Sequence, residues 1–188
     1  LDFLSLDDRF LRSCDAIWAS PPCLRDTAMK GAPNAKGSAH PELIIPTRAR
    51  LQKLGLPYVI ENVERANLVE LTILTGSMFN LGVDWNGRRY HLDRPRKFET
   101  NWSLSAPAPR TRNLPVVTVL GGHARVRAKS AGGRGTADFV GFPGGHRAVM
   151  GAAMGVDPDR SVTCNGISDG IPPPYAEYIG ARLMEHLS

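Results

Sequence analysis

Two short apolar runs, each ended by a stiff or polar turn, constrain the fold of this chain more than any other feature. Ala16–Ala19 is followed by Ser20-Pro21-Pro22-Cys23, and Tyr58–Ile60 is followed by Glu61-Asn62-Val63. Such runs are typical of buried strands. Open α/β sheets bind ligands where the carboxyl ends of parallel strands meet. We therefore expect a thiol and a carboxyl group, a candidate nucleophile and acid, to share one crevice.

The segment between the two runs predicts a crossover that joins parallel strands. Residues 24–40 are polar and rich in Gly, Ala and Lys, which predicts a mobile loop. Pro41 to Leu54 predicts a helix that stops at Gly55, although Pro46 leaves open a start at Thr47 as N-cap. Strand, helix and strand in this order form a β-α-β unit, whose crossover should be right-handed.

The composition excludes some classes of protein and favours others. The 188 residues carry a formal net charge of +5, which favours an anionic partner such as nucleic acid. No apolar run approaches the roughly 18 residues of a membrane span, and the acidic start of the chain is unlike a signal peptide. The three cysteines, at positions 14, 23 and 164, form neither zinc-type pairs nor a disulfide framework, which favours a reduced intracellular setting.

The two turns resemble those of the DNA cytosine-5 methyltransferases, whose nucleophile lies in a Pro-Pro-Cys turn and whose acid lies in a Glu-Asn-Val turn. Leu92–Arg96 is similar to the family's Gln-x-Arg-x-Arg segment, with Leu92 in place of Gln. Residues 168–180 are similar to its final Gly-Asn-x-Val-Pro-Pro turn and helix, with Asp169-Gly170 in the turn. The resemblance implies a Rossmann-like, S-adenosylmethionine-dependent α/β fold with a small irregular target-recognition region.

The resemblance also implies catalytic roles. Cys23 would add to C6 of a flipped cytosine, and Glu61 would protonate or hydrogen-bond N3. Arg96, with Arg94, would hold the cytosine O2 and a backbone phosphate, because a guanidinium presents a fixed fork of donors. Since Glu61 must carry or share a proton, we expect a partly buried carboxyl group with a raised pKa.

Further residues would contact the ligands if the resemblance holds. Those expected beside S-adenosylmethionine are Asp2, Pro21, Asp169 and Gly170. Those expected to contact double-stranded DNA or to hold the turns against it are Ser20, Pro22, Asn62, Val63, Arg25, Arg125 and Arg127. No metal is implied.

The resemblance divides the chain into three regions. Residues 1–102 would form part of the catalytic core, 103–145 the target-recognition and DNA-contact region, and 146–188 C-terminal helices that return to the core. Within the middle region, Val116–Leu120 predicts a strand and 121–136 a flexible basic segment. Its glycine pairs are not a nucleotide loop, because no G-x-G-x-x-G opens a helix there.

The last region predicts two helices. His146 to Val156 has a helical pattern that places Met150 and Met154 in the core. The prolines at 172–174 are expected to open the final helix.

The family's glycine-rich cofactor loop and the acidic residue after its next strand have no counterpart in the printed sequence, so the core would be incomplete at its N-terminus. We expect a truncated chain, a second polypeptide that supplies the rest, or lost cofactor binding. The size resembles compact restriction-modification or phage-type enzymes of the bacterial cytoplasm. Two other functions stay open: a catalytically inactive DNA-binding relative, and an enzyme that uses the same Cys/Glu pair on RNA or a pyrimidine nucleotide.

Overall fold

The computed structural model describes residues 3–22, 42–110, 114–120, 123–127, 139, 141–157 and 162–188. Within these residues the chain is a mixed α/β protein. The strands are β1 (Ile17–Ala19), β2 (Tyr58–Val63), β3 (Leu71–Leu74), β4 (Gly82–Trp85), β5 (Arg88–Leu92), β6 (Arg96–Thr100), β7 (Val116–Leu120) and β8 (His123–Arg127). The helices are α1 (Asp8–Arg12), α2 (Ile44–Leu54), α3 (Gly145–Met154), α4 (Cys164–Asp169) and α5 (Pro173–Leu187), with 3-10 turns at Phe3–Ser5 and Gly76–Phe79.

The chain divides into two compact units. The first comprises Leu1–Ile73 and Arg96–Ala106, and the second comprises Leu74–Pro95 and Pro107–Ser188. The functional division expected at 102/103 and 145/146 stays a prediction. None of the helices in the described ranges is long and apolar enough to cross a membrane.

The first unit is built on a four-stranded sheet in the order β1-β2-β6-β3. β1 and β2 are parallel, with Ile17 opposite Tyr58 and Ala19 opposite Ile60, and α2 lies between them in the chain. β6 runs antiparallel to β2. The predicted β-α-β unit is therefore confirmed, and both parallel strands end at the same edge of the sheet.

The crossover helix α2 begins slightly later than predicted and ends where predicted. It spans Ile44–Leu54, and the Glu42 carboxylate accepts hydrogen bonds from its first two N–H groups at 2.9 and 3.2 Å. Pro46 lies in the first turn, where an N–H has no partner within the helix, so the ring is tolerated. The alternative start at Thr47 is therefore wrong. Gly55 ends the helix in the left-handed conformation, with φ of 73°.

Helices α1 and α2 pack against one face of this sheet. The core that they form with it consists of Leu11, Ile17, Ala19, Ile44, Leu51, Leu54, Tyr58, Ile60, Ala66 and Leu68. Since side chains alternate along a strand, Val59 and Glu61 of β2 lie on the opposite face. The predicted acid therefore faces away from the crossover helix.

The buried phenol of Tyr58 predicts a loss of stability in alkaline solution. Burial raises its pKa above the ordinary value of 10.0, and the charge of Glu99 raises it further. Because the folded pKa exceeds the unfolded one, the contribution of the neutral phenol is complete below about pH 10. It is lost as the pH rises through the raised pKa. Urea unfolding between about pH 8 and 11 should show this decline in the wild type and a smaller one in Tyr58→Phe.

An equal alkaline decline in Tyr58→Phe and the wild type would mean that another group titrates.

The second unit is built on a sheet in the order β4-β5-β7-β8. β4 and β5 form a hairpin whose two loop residues, Asn86 and Gly87, have φ of 48° and 72°. β5 is parallel to β7, and β7 is antiparallel to β8 with Leu120 opposite His123. The predicted strand at Val116–Leu120 is confirmed.

The expectation of a flexible segment over residues 121–136 is wrong for part of its length, because His123–Arg127 forms β8. β8 is antiparallel to β7 and follows it after Gly121-Gly122 in the sequence. Alternation of small or apolar with basic residues over 123–127 supports the strand. Residues 128–136 lie outside the described ranges.

The predicted helices of the last region are confirmed. α3 spans Gly145–Met154, and Met150 and Met154 are buried as expected. α5 begins at Pro173, directly after Pro172 as N-cap. The sequence analysis did not predict the short helix α4, which Thr163 caps by accepting a hydrogen bond from the Gly166 N–H at 3.0 Å.

Candidate active site

The ends of β1 and β2 are fastened together by a buried asparagine. Asn62, which is 1% exposed, donates from Nδ2 to the carbonyl oxygen of Pro21 at 2.9 Å. Its Oδ1 accepts from the Val63 N–H, also at 2.9 Å. Glu61-Asn62-Val63 was predicted to be a turn, which is wrong, because these residues extend β2 and pair with β6. The Asn62 side chain therefore holds the turn after β1 against the end of β2.

Three of the predicted site residues lie outside the described residues. They are Asp2, Cys23 and Arg25, and the predicted loop over 24–40 lies there too. The structure describes the turn after β1 as far as Pro22. Pro21, which Asn62 contacts, thus lies two residues before the candidate nucleophile Cys23 in the chain.

Glu61 and Arg96 form an ion pair on the sheet face away from α2. Arg96 lies opposite Val63, and Glu61 lies opposite Phe98, so Glu61 and Arg96 are diagonal neighbours on the same face. Arg96 Nε is 3.2 Å from Glu61 Oε1, and the two side chains are 14% and 12% exposed. The geometry brings together the predicted acid and one of the predicted arginines.

Burial and the neighbouring Arg96 have opposite effects on the protonation of Glu61. Burial favours the neutral carboxyl group, whereas the adjacent guanidinium favours the carboxylate. The raised pKa that the chemistry calls for therefore stays a prediction.

Trp18 is a neighbour of this pair that the sequence analysis did not single out. Its indole Nε1 donates to Ser20 Oγ at 3.1 Å, and its ring meets the Phe98 ring edge-on with centroids 5.9 Å apart. The run 16–19 was expected to be buried, yet Trp18 is 39% exposed because β1 is an edge strand among the described residues. Trp18 thus positions the first residue of the turn after β1.

Arg94, the other predicted arginine, is buried in the second unit. It is 3% exposed. Its Nη1 donates to the Val119 carbonyl at 2.9 Å, its Nη2 to the Gly170 carbonyl at 2.6 Å and also to the Ser168 carbonyl. All of these partners are main-chain groups, so this guanidinium serves the packing of its own unit.

The remaining predicted residues of the second unit differ in exposure. Asp169, the last residue of α4, is exposed, and the Gly170 N–H donates to the Gly166 carbonyl at 3.1 Å. Arg125 is exposed on β8 opposite Thr118, and Arg127 pairs in register with Val116. The side chains of Asp169 and Arg125 therefore reach solvent.

No protein-family model, curated protein or solved structure matches this chain. The functional assignment therefore rests on the turns and contacts described above.

Proposed function

We propose that this chain carries the catalytic turns of a DNA cytosine-5 methyltransferase. The observation that carries the proposal is the contact of Asn62 with the Pro21 carbonyl, because it holds the Pro-Pro-Cys turn beside the strand that bears Glu61. The Glu61–Arg96 pair supplies the second support. Doubly wound sheets also bind ligands at the carboxyl ends of parallel strands, which is where β1 and β2 carry these polar residues.

The pair suits the edge of a cytosine ring. N3 and O2 are adjacent on that edge, so a carboxyl group and a guanidinium in contact with each other can meet both atoms at once. The carboxyl group of Glu61 would give or share a proton at N3, and the N–H groups of Arg96 would bind O2. Both interactions draw electrons from the ring and make C6 more electrophilic.

The thiolate of Cys23 would form a bond to C6, and the electron pair released to C5 would make that carbon nucleophilic. S-adenosylmethionine would supply the methyl group at C5. Loss of the C5 proton to a base and expulsion of the thiolate from C6 restore the aromatic ring. The flipped base would have to leave the duplex before this chemistry.

Asp169 is the described residue whose chemistry best fits the cofactor. Its exposed carboxylate suits the ammonium and hydroxyl groups of S-adenosylmethionine. The Pro21 carbonyl accepts a hydrogen bond from Asn62, which would hold Pro21 in place beside the cofactor. Double-stranded DNA is the proposed substrate, with the exposed Arg125 among its phosphate contacts.

A covalent trap tests this proposal. The chain is incubated with S-adenosylmethionine and duplex DNA that contains 5-fluorocytosine, and adducts are separated on a denaturing gel. Fluorine cannot leave C5 as a proton does, so a completed transfer freezes the bond between Cys23 and C6. We expect a shifted band in the wild type and none in Cys23→Ser, with Cys14→Ser as the matched control that keeps the band.

A second probe separates attack by the thiol from methyl transfer. DNA with 2-pyrimidinone in place of cytosine lacks the 4-amino group, so its C6 accepts a thiolate without methylation. An adduct on this probe alone would support Cys23 and show that the cofactor site is incomplete. DNA binding without an adduct on either probe would favour the catalytically inactive relative. Adducts on RNA in preference to duplex DNA would favour the RNA enzyme.

A further inference from the structure

We propose that Arg94 is a positioning residue that holds the turn Ser168–Gly170 in place and that it does not contact DNA. The inference rests on the proposed function, since that turn carries the residues expected beside the cofactor. The two arginines of the Arg-x-Arg segment would then have different roles. Arg96 would bind the base, and Arg94 would hold the turn that carries the residues expected beside the cofactor.

The turn needs an outside donor because of the prolines that follow it. At the end of a helix, a carbonyl usually accepts from an N–H three or four residues later. For Ser168 the fourth residue is Pro172, and for Gly170 the third and fourth are Pro173 and Pro174. Proline has no N–H. The local chain therefore has no such donor for the Gly170 carbonyl and offers only the Ile171 N–H to the Ser168 carbonyl, so a side-chain donor stabilises this turn.

The guanidinium group of Arg94 donates hydrogen bonds to the Ser168 and Gly170 carbonyls. Its Nη2 donates to both carbonyls, at 2.6 Å for Gly170, and its Nε is 3.2 Å from the Gly170 oxygen. Its Nη1 donates to Val119 of β7, so the turn is anchored to the sheet of its own unit. The hydroxyl group of Tyr175, a fully buried residue of α5, donates to the Arg94 carbonyl at 3.0 Å. A positive charge at the C-terminal end of α4 is also favourable.

The chain path explains why two arginines only two residues apart have separate roles. The Asp93 N–H donates to the Val117 carbonyl at 2.9 Å and continues the pairing of β5 with β7 in the second unit. Arg96 pairs with β2 in the first unit. The boundary between the units falls after Pro95. The Arg-x-Arg spacing thus delivers one guanidinium to each unit.

The experiment compares Arg94→Lys with Arg96→Lys as the matched control. Lysine keeps the charge but cannot span three carbonyls, since it lacks the planar fork. Hydrogen exchange should become about tenfold faster over residues 166–175 in Arg94→Lys and stay unchanged in Arg96→Lys. The Kd for S-adenosylmethionine should rise about tenfold in Arg94→Lys, while its Kd for DNA and the dependence of that Kd on salt stay as in the wild type.

The results that would overturn the inference are also measurable. If Arg94 binds a phosphate, Arg94→Lys should alter DNA affinity and its salt dependence, with unchanged exchange over 166–175. Arg94→Gln, which removes the buried charge and cannot reach all three carbonyls, is the second variant if Arg94→Lys does not fold, and unchanged exchange over 166–175 in that variant would overturn the inference. If the wild type binds no S-adenosylmethionine, its cofactor site is incomplete, and the exchange data alone decide whether Arg94 holds the turn.

Discussion

Replacing Glu61 with glutamine is expected to slow the covalent trapping of 5-fluorocytosine DNA by about 10²–10⁴-fold, the usual contribution of a positioned general acid. Glutamine keeps the size of the side chain but has no proton to give to N3. It also removes the negative charge 3.2 Å from Arg96 Nε, so the guanidinium loses the partner that orients it. Gel-resolved adduct formation at several times gives the rate directly.

Glu64→Gln is the matched control for this prediction. It makes the same chemical change three residues further along, on an exposed side chain just after β2. This control should trap DNA at the wild-type rate, and DNA affinity should be similar in all three proteins. A wild-type rate in Glu61→Gln would remove the carboxyl group from the mechanism, even if Cys23 still forms the adduct.

The site was predictable as far as local patterns determine it. Two apolar runs with polar or proline-rich ends were enough to predict β1, β2 and their parallel pairing across α2, because short-range hydrophobic patterning decides such units. The ion pair of Glu61 with Arg96 was not predicted, because the resemblance assigned both arginines to the cytosine O2 and a phosphate. Spacing could not separate Arg94 from Arg96, because the boundary between the two units leaves no mark in the sequence except Pro95.

Two hairpins carried signals that the sequence analysis did not use. Asn86-Gly87 between β4 and β5 is the strongest short hairpin signal in the chain, since both residues tolerate positive φ. The glycine pair at 121–122 precedes β8 in a similar way. In contrast, the exposure of Trp18 could not be predicted, because it depends on which strand lies at the edge of the folded sheet.

The buried ion pair of Arg48 and Glu99 was also beyond prediction, because its members are 51 residues apart and belong to α2 and β6. Arg48 donates to both oxygens of Glu99, from Nε at 2.6 Å and from Nη2 at 2.7 Å. The Glu99 carboxylate also accepts from the Val69 N–H at 3.0 Å, and the hydrogen bond to Glu99 raises the pKa of Arg48. This cluster joins the crossover helix to the sheet and to the loop after β2.

Glu99→Gln is therefore expected to lower the free energy of unfolding by about 3–5 kcal/mol, the usual cost of breaking a buried pair and leaving one charge without its counterion. Glu99 is 1% exposed and Arg48 is 14% exposed, so water cannot replace the lost carboxylate oxygen.

Asp84→Asn is the matched control, because it breaks the pair of Asp84 with Arg89, in which the side chains are 74% and 30% exposed. Exposed pairs contribute at most about 1 kcal/mol, so this control should change urea unfolding little. Equal small changes in both variants would show that the Arg48–Glu99 cluster does not hold α2 on the sheet, and the position of the end of β2 that carries Glu61 would then have to depend on Asn62 and the strand pairing alone.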